Sequence, residues 1–242
     1  MNRYADPAPT LMKRSISIVV PVRNEAKEIE ELSLACREAI LPLGLAWELL
    51  FIDDGSEDET LSQIENVART VEEIRLLRTH GEGQSKATAV GVRRARHGSI
   101  LTIDADQRLS PDVVRTLLAS LTHEGDLILG NRGTRSSLPR WRRGGSALLR
   151  SLLNGWLGAS LSDATTSIRL FSQRLGQEAV AFAERCDIPL HLALLDRAER
   201  IVEVPFPYRV RPDSRYHLWT LARLAFHLLR AFPRLRRGRR GP

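Results

Sequence analysis

Asp104 and Asp106 stand one residue apart, directly after the apolar run Ser99-Ile100-Leu101-Thr102-Ile103. Two carboxylates leaving the end of a buried strand repel each other unless a cation neutralises them. A hard divalent ion with oxygen ligands does this, and Mg²⁺ or Mn²⁺ commonly completes its coordination with phosphate. The pair therefore points to phosphate chemistry at the edge of a sheet; the plain alternative is two solvated loop charges. Two more polar clusters follow apolar runs in the same way. They are Arg23-Asn24-Glu25 and Asp53-Asp54-Gly55-Ser56, the second also readable as a helix cap with Ser56.

The elements that would position these clusters are legible from the hydrophobic pattern. Ser15 to Pro21, Trp47 to Ile52, Ile74 to Arg78 and Ser99 to Ile103 read as buried strands. Helical spacing runs over Glu25 to Ile40, Asp58 to Arg69 and Gln84 to Arg96. Strand and helix alternating at this spacing predict a parallel, doubly wound α/β sheet, whose ligands sit at the carboxyl ends of the strands. All three polar clusters fall at such ends. Further on, a helix follows Pro111, a strand covers Asp126 to Gly130, and Gly145 to Gly158 is helical in spacing. Strands at Ser167 to Phe171 and Ile201 to Val204, with helices at Arg174 to Ala183 and Pro189 to Arg197, alternate less regularly, so the sheet is expected to become mixed. No G-x-G-x-x-G follows the first strand, and no G-x-x-x-x-G-K-[ST] loop occurs.

The 242 residues, 43% of them hydrophobic, suffice for a sizeable core. Cys36 and Cys186 are far apart and without metal-ligand spacing, which suits a reducing cytosol. Residues 1–14 lack the apolar stretch of a signal peptide, and no run of about 18 apolar residues suggests a membrane span. The net charge of +7 is concentrated in the last ten residues, where Arg234, Arg236, Arg237, Arg239 and Arg240 occur with no acid. Such a tail suits nucleic acid, anionic lipid or no partner at all. It lacks the interleaved aromatics of a nucleic-acid module, so none is expected.

The motifs stand in a fixed order. They are Val20-Pro21-Val22-Arg23-Asn24-Glu25, Phe51-Ile52-Asp53-Asp54-Gly55-Ser56, Gly83-Gln84-Ser85, Ile103-Asp104-Ala105-Asp106 and Gly130-Asn131-Arg132. Then come Asp163-Ala164-Thr165-Thr166-Ser167-Ile168-Arg169, Val202-Glu203-Val204-Pro205 and Ser214-Arg215-Tyr216. From about Ser15 to Phe232 the chain resembles the family-2 inverting glycosyltransferases of GT-A fold, most closely the dolichol-phosphate mannose synthase and polyprenyl-phosphate glycosyltransferase branch. The resemblance implies a GT-A domain over 15–216, after a flexible N-terminus (1–14) and before an amphipathic C-terminal helix and basic tail (217–242).

It also implies roles. Pro21, Arg23, Glu25, Ile52 and Asp54 would hold the base and ribose of a nucleotide-diphosphate sugar. Asp104 and Asp106 would hold Mg²⁺ or Mn²⁺ on the diphosphate, with Ala105 leaving room for the nucleotide. Arg132 and Arg215 would meet the diphosphate or an acceptor phosphate through charge-assisted bonds. Asp106 and Asp163 are the candidate bases if the acceptor is a hydroxyl. The chain departs from the pattern in four places. Arg23 replaces a frequent tyrosine. Arg108, counted here with the donor-binding set, stands where a metal-assisting glutamine is usual, with Gln107 one place early. The glycine before Ser214-Arg215-Tyr216 is missing, with Pro212 nearby. Thr166-Ser167-Ile168-Arg169 replaces Ser-Gly-Phe-Arg.

A polyprenyl phosphate acceptor requires membrane contact. Leu218, Trp219, Leu221, Leu224, Ala225, Phe226, Leu228, Leu229 and Phe232 oppose an Arg223, His227, Arg230, Arg234 stripe, the pattern of an interfacial helix; the alternative is a terminal helix covering the core. The stripe Leu148, Leu149, Leu152, Leu153, Trp156, Leu157 reads equally as acceptor mouth or core. The expectation is a peripheral enzyme on the cytosolic face of a membrane. The rival readings are a saccharide or small-hydroxyl acceptor, or a nucleotide-sugar-binding protein with little turnover.

Overall fold

The computed structural model describes residues 15–131, 154–155, 161–164 and 166–206. Seven strands form one sheet in the order β3-β2-β1-β4-β6-β5-β7. The strands are β1 (Ser15–Val22), β2 (Ala46–Asp53), β3 (Ile74–Arg78), β4 (Ser99–Thr102), β5 (Asp126–Asn131), β6 (Arg169–Ser172) and β7 (Arg200–Pro205). The helices are α1 (Ala26–Ile40), α2 (Thr60–Thr70), α3 (Gln84–Arg94), α4 (Pro111–Ser120), α5 (Gln173–Cys186) and α6 (Leu190–Arg197).

The pairs β1–β2, β2–β3 and β1–β4 are parallel, and so is β5–β7. β6 runs antiparallel between β4 and β5. The expected mixed sheet is therefore produced by one reversed strand among those described. Its start at Arg169 comes to the same edge as the carboxyl end of β4, since Thr102 pairs with Arg169.

Both faces of the sheet are buried, which explains why the strands read as continuous apolar runs. Ile16, Ile18, Val20, Leu49 and Phe51 face one core with α1, α2 and α4. Val19, Leu50, Ile52 and Phe171 face the other with α3, α5 and α6. A close approach lies beneath α3: a β-carbon on Gly91 would stand 2.4 Å from Val19 Cγ1 and 3.0 Å from Ile52 Cδ1. Glycine at that position lets α3 rest directly on β1 and β2.

Four helix starts differ by one or two residues from the sequence reading, with α5 at Gln173 and α6 at Leu190 among them. α1 begins at Ala26 and α2 at Thr60, because Glu25 and Glu59 occupy the cap positions. Asp53 and Asp54 cap neither helix. The expected helix over Gly145 to Gly158, the C-terminal helix and tail, Arg132, Arg215, and the Leu148 to Leu157 stripe lie outside the described residues, apart from 154–155. Among the described residues no helix is long and apolar enough to cross a membrane.

Candidate active site

The strand order reverses between β1 and β4, and in open α/β sheets such a switch point is where a ligand crevice forms at the carboxyl edge. Asp54 emerges from β2 beside this crevice and is buried. Its Oδ1 accepts from the Thr79 hydroxyl (2.6 Å) and the Glu82 N–H (2.9 Å), and its Oδ2 from the Gly83 N–H (2.7 Å). Gly83 has φ +94°, a backbone that side-chain-bearing residues rarely adopt, and this turn aims both N–H groups at the carboxylate. Burial pushes the Asp54 carboxyl up. The Thr79, Gly83 and Glu82 donors and the Arg23 guanidinium outweigh that and hold it below the ordinary aspartate value. Arg23 itself is exposed and lies against the same turn, its Nη1 3.8 Å from where a β-carbon on Gly81 would stand.

The loop after β1 is laced to the loop after β2. Asn24 adopts φ +55°; its N–H donates to Ser56 Oγ (3.0 Å) and its Oδ1 accepts from the Glu57 N–H (2.8 Å). The Glu25 N–H donates to Thr60 Oγ1 (2.8 Å), which fixes the half-buried Glu25 at the start of α1. Pro21 and Ile52 are neighbours across the β1–β2 ladder. The Ile52 side chain is fully buried in the core beneath α3, so that position offers a nucleotide no exposed side chain. Asp53 is fully buried; its Oδ1 accepts from the Ser56 N–H (3.2 Å), and its Oδ2 lies 3.8 Å from Arg78 Nε, an ion pair too long for a hydrogen bond.

Asp104 and Asp106 leave β4 half-buried on either side of the buried Ala105. Neutral amides meet both carboxylates. Gln84 Nε2, at the first residue of α3, donates to Asp104 Oδ1 (2.6 Å), and Gln107 Nε2 donates to Asp106 Oδ1 (2.9 Å). The Gln107 N–H also closes a turn on the Asp104 carbonyl (3.1 Å). The Arg108 guanidinium pairs with Glu31 on α1. Gln107 thus reaches Asp106, while Arg108 makes its ion pair with Glu31. Among the described residues no cluster of three His, Cys, Asp or Glu side chains forms a metal cage. Two carboxylates oriented by uncharged amides suit a divalent ion that takes its remaining oxygens from a diphosphate or from water.

The far wall is built from β5, β6 and β7. Asp163 is buried, and its N–H, with that of Ser162, donates to the Glu203 carboxylate of β7 (2.7 and 2.9 Å). Thr102 Oγ1 donates to the Ser167 carbonyl (2.9 Å), and the Gly130 N–H to the Ile168 carbonyl (2.9 Å). Residues 161–164 and 166–168 are thus pinned beside the β4 end, with the half-buried Arg169 opposite Thr102. Thr79, Gln84, Glu31 and Glu203 carry bonds at this edge although the sequence reading assigns them no site role, whereas Gln107 is already a candidate substitute there for the metal-assisting glutamine. The Gly83-Gln84-Ser85 and Val202-Glu203-Val204-Pro205 motifs were the available signal for two of them.

The model of the family described as "Glycosyl transferase family 2" matches residues 17–178, more than half of the chain. The chain belongs to glycosyl transferase family 2. It is a glycosyltransferase of GT-A fold. An undecaprenyl-phosphate 4-deoxy-4-formamido-L-arabinose transferase of Salmonella paratyphi B is 27% identical over 221 residues, covering 89% of this chain and 67% of that relative. Among solved structures, mannosyl-3-phosphoglycerate synthase from Rubrobacter xylanophilus superposes with a TM-score of 0.66 at 18% identity, covering 94% of this chain and 76% of its own. A mannosyltransferase from Pyrobaculum calidifontis in complex with GDP-mannose and Mn²⁺ gives 0.62 at 21% identity, over 94% of this chain and 65% of its own.

Proposed function

We propose that this glycosyltransferase moves a sugar from a nucleotide-diphosphate donor to a polyprenyl phosphate, with inversion at the anomeric carbon. The observation that carries the donor side is the convergence of the Asp54 cradle and the Asp104–Asp106 pair at one crevice. The acceptor side is supported by the undecaprenyl-phosphate relative.

Asp54 presents a carboxylate, kept ionised and rigid by the 79–83 turn, to the base or ribose, with Arg23 and Glu25 beside it. Asp104 and Asp106 hold Mg²⁺ or Mn²⁺, which supplies charge neutralisation for the departing diphosphate. Gln84 and Gln107 orient the two carboxylates before donor arrives. Arg132 and Arg215 meet the diphosphate or the acceptor phosphate. An acceptor phosphate with a second pKa near 6 is already anionic at neutral pH, so no strong general base is required. Its oxygen attacks the anomeric carbon, and the bond to the diphosphate oxygen breaks with the electron pair leaving on the nucleotide. Positioning then supplies most of the rate enhancement. Residues 217–242 bring the enzyme to an anionic membrane surface through the apolar face and arginine stripe of that segment.

Donor binding is tested by thermal shift across nucleotide sugars with and without Mn²⁺. A cognate donor at about 100 times its Kd stabilises the protein by about 2.7 kcal/mol, and the shift is expected to grow with Mn²⁺. No shift with any nucleotide sugar in the presence of divalent ion would overturn the donor assignment.

A further inference from the structure

Arg108 stands two residues after Asp106, and a guanidinium swung toward the aspartate pair would oppose any cation held there. The fold sends it elsewhere. Its Nη1 pairs with Glu31 Oε1 on α1, with side chains 51% and 47% exposed. Glu31 lies on the outer side of α1 next to Leu32, whose side chain is buried in the core, so the helix carrying it is anchored. Gln107 turns the opposite way: it is buried, and its amide donates to Asp106 Oδ1. Successive residues thus send a neutral donor to the carboxylate and the cation to a partner on α1.

We propose that Glu31 is a positioning residue for the aspartate pair: it sequesters Arg108 so that the charge at residue 108 does not compete with the metal. The proposal rests on the reading of Asp104 and Asp106 as metal ligands. An exposed ion pair adds little to folding stability, so its value here is the place where it parks a charge. Released beside a divalent ion, one positive charge weakens binding by about three- to tenfold at low salt, and less as salt screens it.

Mn²⁺ alone is titrated at low salt into the full chain, with free ion read by electron paramagnetic resonance. The wild type is compared with Glu31→Gln, Arg108→Gln, the Glu31→Gln/Arg108→Gln double variant, and Asp106→Asn. Glu31→Gln is expected to weaken Mn²⁺ binding about three- to tenfold with an unchanged melting temperature. The double variant is expected to return to within about twofold of wild type, and the Glu31→Gln deficit to shrink in 0.5 M salt. A Glu31→Gln affinity within twofold of wild type would overturn the proposal while Asp106→Asn still abolishes binding; so would a double variant as weak as Glu31→Gln. Mn²⁺ binding untouched by Asp106→Asn would overturn both the proposal and the metal-site reading beneath it.

Discussion

At the scale of single residues, Asp54 combines the demands of fold and site. Its carboxylate closes three bonds to a turn that begins α3, and Gln84 at the next position holds Asp104. The two halves of the crevice are therefore joined through residues 79–84. Asp54→Asn turns an amide N–H₂ toward donors and leaves at least one buried group unsatisfied, which costs about 1–3 kcal/mol. In a protein of this size the melting temperature is expected to fall by about 2–4 °C per kcal/mol. Calorimetry of the variant checks this, and an unshifted melting temperature would count against the cradle. Two other buried carboxylates also lie below their ordinary values. For Glu48 burial is outweighed by Ser17, the Arg96 N–H and Arg75; for Asp126 it is outweighed by Arg200 and the His123 and Thr122 donors. A depressed carboxyl contributes stability that is complete above its unfolded pKa and is lost as pH falls through its folded one. The melting temperature is thus expected to be flat from pH 7 to about 5 and to drop below about 4. The acid limb should be shallower in Asp54→Asn, and equal steepness in both proteins would contradict the assignment.

At the scale of elements, α3 carries the site because Gly91 seats it on β1 and β2. Alanine favours a helix over glycine by about 1 kcal/mol, yet a contact of 2.4 Å to Val19 Cγ1 outweighs that gain. Gly91→Ala is expected to destabilise by about 1–3 kcal/mol and, by lifting the Gln84 end, to lower turnover as well; a more stable, fully active variant would refute this packing argument. The β1 to β4 half of the fold is legible in the sequence, because buried parallel strands write continuous apolar runs and polar clusters stand where those runs end. β6 reads as a strand, but its placement between β4 and β5 does not, since a run such as Arg169–Ser172 names no partner. The Glu31–Arg108 pair and the Glu203 hold on residues 162 and 163 are equally silent: they join positions 77 and about 40 apart, and no local pattern encodes a side chain's distant partner. Arg108 read alone suggests a weakened metal site, and its partner on α1 is not legible in the local sequence.

At the scale of the whole molecule, charge is distributed unevenly. The net +7 owes most to five arginines in the last ten residues. Together with the apolar residues between Leu218 and Phe232, they are expected to bind anionic vesicles, each arginine near the surface adding about 1 kcal/mol. Flotation with phosphatidylglycerol liposomes should recover the full chain, while a chain ending at residue 217 stays in the dense fraction; equal flotation of both would reject this anchor. The central claim is that Asp104 and Asp106 serve sugar transfer from a nucleotide diphosphate to a lipid phosphate. The most direct measurement supplies polyprenyl phosphate, Mn²⁺ and a labelled cognate nucleotide sugar, and follows label into the organic phase. The wild type is predicted to make lipid-linked sugar, and Asp106→Asn to lose at least about 100-fold in kcat, as expected when electrostatic stabilisation of the leaving group is removed. Full activity in Asp106→Asn, or label passing only to water-soluble hydroxyl acceptors, would contradict the account.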